Sequence, residues 1–353
     1  MHMARSTSFI VTEIQQARLD NPKMRERDLA DKLGISEAQL LAAHLGQRVT
    51  RITPEMDVLM PAIMRLGEVM ALTRNESCVI EKTGVYADYR GGPHAALVVN
   101  DEIDLRMFPG HWKYAFAVVK PLGDGGERRS LQVFDAAGDA VHKVFLKDSS
   151  VHEAWPGVVA ELRLPEQSDD LPILPRQKTE EAVGDPAKAE RLREEWDKIT
   201  DTHQFLQMVK KLKMNRLGAY RLAGAPYVRP LQTSAVSVLL EKARDLALSI
   251  MVFVGNRGCI EIHTGPIESV KPMGPWINVL DPRFNLHLRN DHIAEVWQAT
   301  KATRRGDAVS VEAFDAEGGL ILQVFGVLAE PEASAKWNDL VAALPSLKEE
   351  AVA

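Results

Sequence analysis

The sequence predicts an α+β fold in which one helix-then-strand design occurs twice. Three observations carry that prediction. Stretches of the first half recur in the second at a nearly constant shift, each half passes from helical to alternating apolar periodicity, and a proline- and charge-rich segment separates the two. Cys78-Val79 and Thr83-Gly84 recur as Cys259-Ile260 and Thr264-Gly265, 181 positions on. Ile103-Asp104-Leu105-Arg106 recurs as Phe284-Asn285-Leu286-His287 at the same shift, and His111 maps onto His292. Leu131 to Phe145 matches Val311 to Phe325 at a shift of 180, with six of fifteen positions identical, while Leu33–Leu41 and Leu212–Tyr220 align more weakly at 179. A period this long indicates a tandem pair and not a solenoid, whose repeats run roughly 20–50 residues.

Taken in order, Phe9–Arg18, Glu26–Leu33, Ser36–His44 and Met56–Leu66 have helical spacing, with caps expected at Asp28 and Ser36 and a stop at Gly67. From Glu76 the texture changes to short alternations: Cys78–Ile80, Ala95–Val99, Ile103–Met107, Tyr114–Val118, Leu131–Phe134 and Val141–Leu146. Asp135 to Gly138 and Asp315 to Gly318 read as hairpin turns. The second half repeats the order, helices over 189–249 and strands over 251–328. Helices segregated from a run of antiparallel strands are the mark of α+β. Residues 165–188 read as a linker, so the repeats are expected over 1–164 and 189–353.

Composition narrows the function classes. With 353 residues, 45% of them hydrophobic, the chain is long enough to bury its own cores. Two cysteines exclude a disulfide scaffold and any site built on several thiolates of one chain. A net charge of −6 argues against a generally basic nucleic-acid binder. The longest stretch without a charged residue, Gly318 to Ala329, is twelve residues, too short to span a membrane. The first residues lack the pattern of a secretory signal, so the cytoplasm is the expected compartment. The sequence contains no HExxH, GxSxG, phosphate-binding loop or CxxC. Cys78 and Cys259 fall at matching apolar strand positions and are expected in the core. Arg27 to Gly46 has the outline of a helix-turn-helix, but its second helix carries no Arg or Lys to contact DNA.

The two copies differ most informatively over Glu194 to Arg229. Asp201 or Thr202 can cap a helix reaching about Lys213, with Phe205, Met208, Val209 and Leu212 as its apolar stripe. His203 lies roughly 170° from the centre of that stripe, so it faces either solvent or a ligand outside the helix. Its counterpart in the first half is Met24. Arg106, at an apolar strand end, needs an acid or an anion as partner. Arg216 and Lys301 are suited to carboxylates, or are solvated surface charges.

These segments resemble the cytoplasmic haemin-transport and haemin-degrading factors of Gram-negative haem uptake systems, the HemS/ChuS type. The resemblance covers nearly the whole chain and rests on the duplication and on several segments: Leu33 to Glu37, Asn100 to Arg106, Trp196 to Phe205, and Asn215 to Ala219 with Leu222 to Gly224. It implies one haem b per chain, held in the second repeat with His203 as the iron ligand, Arg106 of the first repeat on the distal side, and Arg216 and Lys301 near the propionates. A family segment of the form Gln-x-Tyr/Phe-Gly-x-Arg corresponds to Gln323 through Leu328, which implies haem contacts from Gln323 and Phe325 and replaces the final arginine by Leu328.

Two functions follow from the resemblance. In the first the chain is a carrier in iron acquisition, accepting haem delivered by an inner-membrane ABC transporter and handing it to a downstream acceptor, as a monomer or homodimer without membrane insertion. In the second it is an enzyme that opens its bound haem with O₂ or peroxide and external electrons, releasing iron, with Arg106 as the distal catalytic group. No flavin, nicotinamide or iron–sulfur motif occurs, so electrons would come from elsewhere. The carrier is the preferred expectation.

Overall fold

A computed structural model describes residues 7–123, 125–327 and 331–347. The chain divides into two units. The first comprises residues 1–74, 81–176 and 256–261, and the second residues 75–80, 177–255 and 262–353.

The helices of the chain are α1 (Thr7–Asp20), α2 (Glu26–Leu33), α3 (Glu37–Ala42), α4 (Met56–Met64), α5 (Trp155–Leu162), α6 (Ala189–Trp196), α7 (Gln204–Lys211), α8 (Arg216–Ala223), α9 (Ala235–Asp245) and α10 (Pro331–Ala342). The strands are β1 (Val49–Ile52), β2 (Gly67–Arg74), β3 (Cys78–Val85), β4 (Ala96–Val99), β5 (Asp104–Met107), β6 (Tyr114–Pro121), β7 (Glu127–Phe134), β8 (Ala140–Ser150), β9 (Val228–Leu231), β10 (Ile250–Gly255), β11 (Cys259–Gly265), β12 (Val270–Met273), β13 (Trp276–Leu280), β14 (Phe284–Arg289), β15 (Glu295–Thr303), β16 (Gly306–Phe314) and β17 (Leu320–Gly326).

In the first unit β1, β6, β7, β8 and β2 pair antiparallel in that order, with β3 next to β2. Strand β4 pairs antiparallel with β5. In the second unit β9, β15, β16, β17 and β10 pair antiparallel, with β11 next, and β12, β13 and β14 form a further antiparallel set. Each unit runs from helices into a series of antiparallel strands and ends on a helix, α5 in the first and α10 in the second.

Local chemistry explains the helix ends. Ser36 caps α3 in a capping box, its hydroxyl accepting from the Gln39 amide while the Gln39 side chain returns to the Ser36 amide. Asp28 is not a cap: Arg25 holds that position and Asp28 sits in the first turn of α2, ion-paired to Arg25 at 2.7 Å. Gly67 does not stop α4. The helix ends at Met64, and Gly67, at φ 68, opens a strand the sequence reading passed over. Strand β1 was also passed over. The turns at 135–138 and 315–318 form as expected, each aspartate carboxylate accepting two backbone amides of its own turn.

The helix-turn-helix outline is packing. In α3 Glu37, Ala38, Leu40, Leu41 and Ala42 are all buried, which leaves no surface to enter a groove. Cys78 and Cys259 are buried core residues, as expected. The second unit has an apolar core around Leu239, Val252, Val324 and Trp337. That of the first, around Leu59, Val69, Leu105 and Val144, takes in a polar group of side chains described below. Among the described residues no helix is long and apolar enough to cross a membrane.

Candidate functional site

His203 stands just before α7, at the end of the loop that follows α6. Helix α7 runs Gln204–Lys211, shorter than its apolar stripe suggested, because Lys213 turns the chain at φ 59. Neither Asp201 nor Thr202 caps it. His203 occupies the cap position, and Asp201 instead folds back on the loop, its Oδ1 accepting the His203 backbone N–H at 2.8 Å and facing the ring Nδ1 at 2.7 Å. A carboxylate can only accept, so Nδ1 carries a proton, and in the neutral ring Nε2 presents the lone pair. The His203 side chain is 92% exposed. The bonds from the His203 backbone and ring hold the Asp201 carboxyl below its ordinary range, and Arg304 on the β15–β16 turn adds to the effect. Leu206, one turn along α7 on the same face, is an exposed apolar neighbour.

The buried face of α7 lies over a charged cluster that the sequence reading half anticipated. Glu312, on β16, is fully buried. One of its oxygens accepts from Arg216 at 2.7 Å, the other from Tyr220 at 2.8 Å, Lys301 at 3.0 Å and Ser310 at 2.8 Å. Burial alone would raise this carboxyl; Arg216 and Lys301 hold it well below the usual range. Burial brings Lys301 down to about 8 despite Glu312. The Lys301 ammonium and the Arg216 guanidinium lie 4.7 and 5.7 Å from the centroid of the Phe205 ring, two residues after His203. Both cations therefore do face a carboxylate, the protein's own, and neither is a solvated surface charge. One carboxylate against an arginine and a lysine leaves the cluster short of negative charge.

The same sheet face continues onto β17 and β10. Gln323 is in register with Glu312 and with Phe253, and Phe325 with Ser310 and Met251. Residues opposite one another in a ladder share a face. Gln323, Phe325, Phe253 and Met251 are all half-buried, and the Phe253 and Phe325 rings meet edge-on at 5.2 Å. Alternate residues of these strands, such as Val252 and Val324, point into the apolar core. The second unit thus brings Arg216, Lys301, Gln323 and Phe325 to one face, with α7 and His203 beside it.

Arg106 lies on β5 of the first unit. Its guanidinium is ion-paired to Asp104 and donates to the Leu105 carbonyl at 3.2 Å. The partner that an arginine on an apolar strand requires is therefore an acid two residues away. Burial raises the Asp104 carboxyl even with that partner. Leu328 lies outside the described residues.

Sequence reasoning missed Glu312, Tyr220 and Ser310, although a single carboxylate within the apolar run Ala308 to Phe314 was a legible signal of a buried charge needing partners. It also missed a buried polar group in the first unit. His142 Nδ1 lies 2.8 Å from Thr73 Oγ1 and its Nε2 2.6 Å from the Tyr86 hydroxyl, while Cys259 and Glu261 lie within 4.0 Å. Burial brings His142 down to about 3 and pushes Glu261 up to about 8, so both are uncharged at neutral pH.

Comparison with known proteins agrees with this architecture. The HemS family model, described as a haemin-degrading HemS.ChuX domain, matches twice, over residues 34–162 and 213–344. The hemin transport protein HemS of Yersinia enterocolitica is 38% identical over 339 residues, 95% of this chain and 97% of the relative. Among solved structures, holo-PhuS of Pseudomonas aeruginosa, a heme-binding protein, is 40% identical with a TM-score of 0.90, covering 97% of this chain and all of PhuS. ChuS of Escherichia coli O157:H7, a heme degrading enzyme, is 32% identical with a TM-score of 0.87, covering 96% of this chain and all of ChuS.

Proposed function

The chain belongs to the haemin-degrading HemS.ChuX domain family, and from that premise we propose that it binds one haem through His203 of its second unit and carries it to a downstream acceptor. The observation that carries this reading is the state of His203: an exposed imidazole whose Nδ1 proton is held by Asp201, so that Nε2 is free for iron. Neutral imidazole is a strong ligand for haem iron. An exposed ligand also suits a cargo that has to leave again.

The rest of the face fits the cargo. The half-buried rings of Phe253 and Phe325 suit a flat apolar macrocycle, and the cation excess at Arg216 and Lys301 suits its carboxylates. Gln323 adds a polar contact on the same face. Arg106, in the first unit, is proposed for the distal side; its guanidinium is permanently charged and acts there as an electrostatic group and not as a base. The proposed setting is the cytoplasm, with haem supplied by an inner-membrane ABC transporter and taken up by a separate acceptor.

The second reading, degradation of the bound haem, is favoured by the likeness to ChuS, a heme degrading enzyme. In either case haem is the cargo or substrate, and the chain's own residues bind and orient it. One experiment separates them. The purified haem complex is supplied with a reductant and O₂ in the presence of catalase, which removes free peroxide, and the Soret band is followed. A carrier keeps its Soret band and loses haem only to an added acceptor. Steady loss of the band with release of iron would make the protein an enzyme.

A further inference from the structure

We propose that Asp201 is a positioning residue, which fixes the tautomer and direction of the His203 ring and strengthens it as a ligand. The inference rests on the reading of His203 as iron ligand and goes beyond it, to how the loop prepares that ligand before any iron arrives.

Three observations support it. First, a single oxygen, Asp201 Oδ1, takes both the backbone N–H of His203 at 2.8 Å and the ring Nδ1 at 2.7 Å. The backbone bond fixes where the residue sits, and the ring bond fixes which way the imidazole turns. Second, the ring is 92% exposed, so packing against other side chains cannot orient it. A free imidazole on such a site would rotate about χ1 and χ2 and exchange tautomers, offering Nε2 for only part of the time. Third, the loop itself is held at both ends. Gln204 returns its side-chain oxygen to the Thr200 amide at 2.9 Å, and its own amide bonds the Asp201 carbonyl at 3.1 Å. The carboxylate therefore has a fixed mount.

A carboxylate behind a ligating imidazole raises the basicity of the ring and orients it, and loss of such an outer partner typically lowers metal affinity about 10–100-fold.

The test uses full-length protein in three forms: wild type, Asp201→Asn and His203→Ala. Asparagine can still accept the backbone N–H, so the turn survives while the negative charge behind the ring is removed. Three quantities are read on the haem complexes: the iron–histidine stretching frequency of the ferrous state by resonance Raman, the midpoint potential, and haem affinity. A fourth is read without haem, the His203 tautomer from its ring ¹⁵N shifts above the pH of ring titration. The expected result for Asp201→Asn is a lower stretching frequency, a raised potential, affinity down about 10–100-fold, and a free protein in which the Nδ1–H tautomer is less strongly favoured. A purely structural loop role would move none of these while the turn is intact. Wild-type stretch and potential in Asp201→Asn, with the spectrum of His203→Ala altered, would overturn the positioning role alone. An unchanged spectrum in His203→Ala would instead overturn the ligand reading on which it rests.

Discussion

Equivalent positions in the two units carry the same kind of ion cluster wired in opposite senses. In the first unit the acid is on the helix: Glu37 of α3 takes Lys143 of β8 at 2.7 Å and Arg74 of β2. In the second unit the helix position equivalent to Glu37 is Arg216, and the acid is on the sheet, Glu312 of β16, where the first unit has the neutral Gln132. Lys143 has its counterpart in Gln323, and Arg74 in Gly255. Helix α3 is thereby tied down over β8 and β2. Its counterpart α8 is tied to β16, and the equivalent strands β17 and β10 present Gln323, Phe325, Phe253 and Met251 without an ion pair to a helix. Met24, packed against the cluster of Ile14, Leu29 and Leu40, stands where His203 stands exposed. The difference teaches that moving a carboxylate from helix to sheet changes which strands the helix is tied to.

The largest effects should come from breaking the two clusters. Glu312→Gln leaves Arg216 and Lys301 buried without a carboxylate and should cost about 3–5 kcal/mol. Glu37→Gln should cost a comparable amount, since Glu37 is also buried and its carboxyl is held at about 2 by Lys143 and Arg74 against the effect of burial. Urea unfolding of both variants checks this. The comparison predicts that Glu37→Gln leaves haem affinity unchanged and Glu312→Gln does not. Equal effects on haem would end the functional distinction between the two clusters.

The polar group in the first core gives a second handle. Glu261 corresponds to Ile80 of the apolar core, and burial pushes its carboxyl up to about 8. Above its unfolded value the unfolded chain ionises while the folded chain stays protonated. Stability from this residue is therefore full below about pH 4.5 and lost as the pH rises toward about 8. Glu261→Gln should then change little near pH 4.5 and stabilise by on the order of 3 kcal/mol at pH 8. Thermal unfolding at the two pH values measures it, and a stabilisation that does not grow with pH would show that Glu261 has a partner.

The smallest effect is expected from Arg106→Ala. Arg106 already has Asp104 as a partner, so haem affinity should stay within about threefold while the visible spectrum and the rate of transfer to an acceptor change. Affinity lost with the spectrum unchanged would make Arg106 a clamp.

Much of this was legible in the sequence, and the remainder failed for identifiable reasons. The duplication was readable because turn residues repeat: Asp135 and Gly138 against Asp315 and Gly318 are dictated by backbone geometry and persist where core residues drift. His203 stood out because its angle on the helix expected from the apolar stripe excluded the core. What pairs with Arg216 and Lys301 was not readable, because Glu312 meets Lys301 only through the pairing of β15 with β16, 11 positions on, and Arg216 only through helix packing, 96 positions on. Strand β2 was passed over because Gly67 reads equally as a helix stop and as a strand start.

The most direct test of the central claim, that haem is held by His203 in the second unit alone, is a haem titration of wild type and His203→Ala followed by absorption. The account predicts saturation at one haem per chain with a histidine-ligated spectrum, which His203→Ala loses together with most of its affinity. Saturation at two haems with histidine-type spectra, or an unchanged spectrum and affinity in His203→Ala, would contradict it.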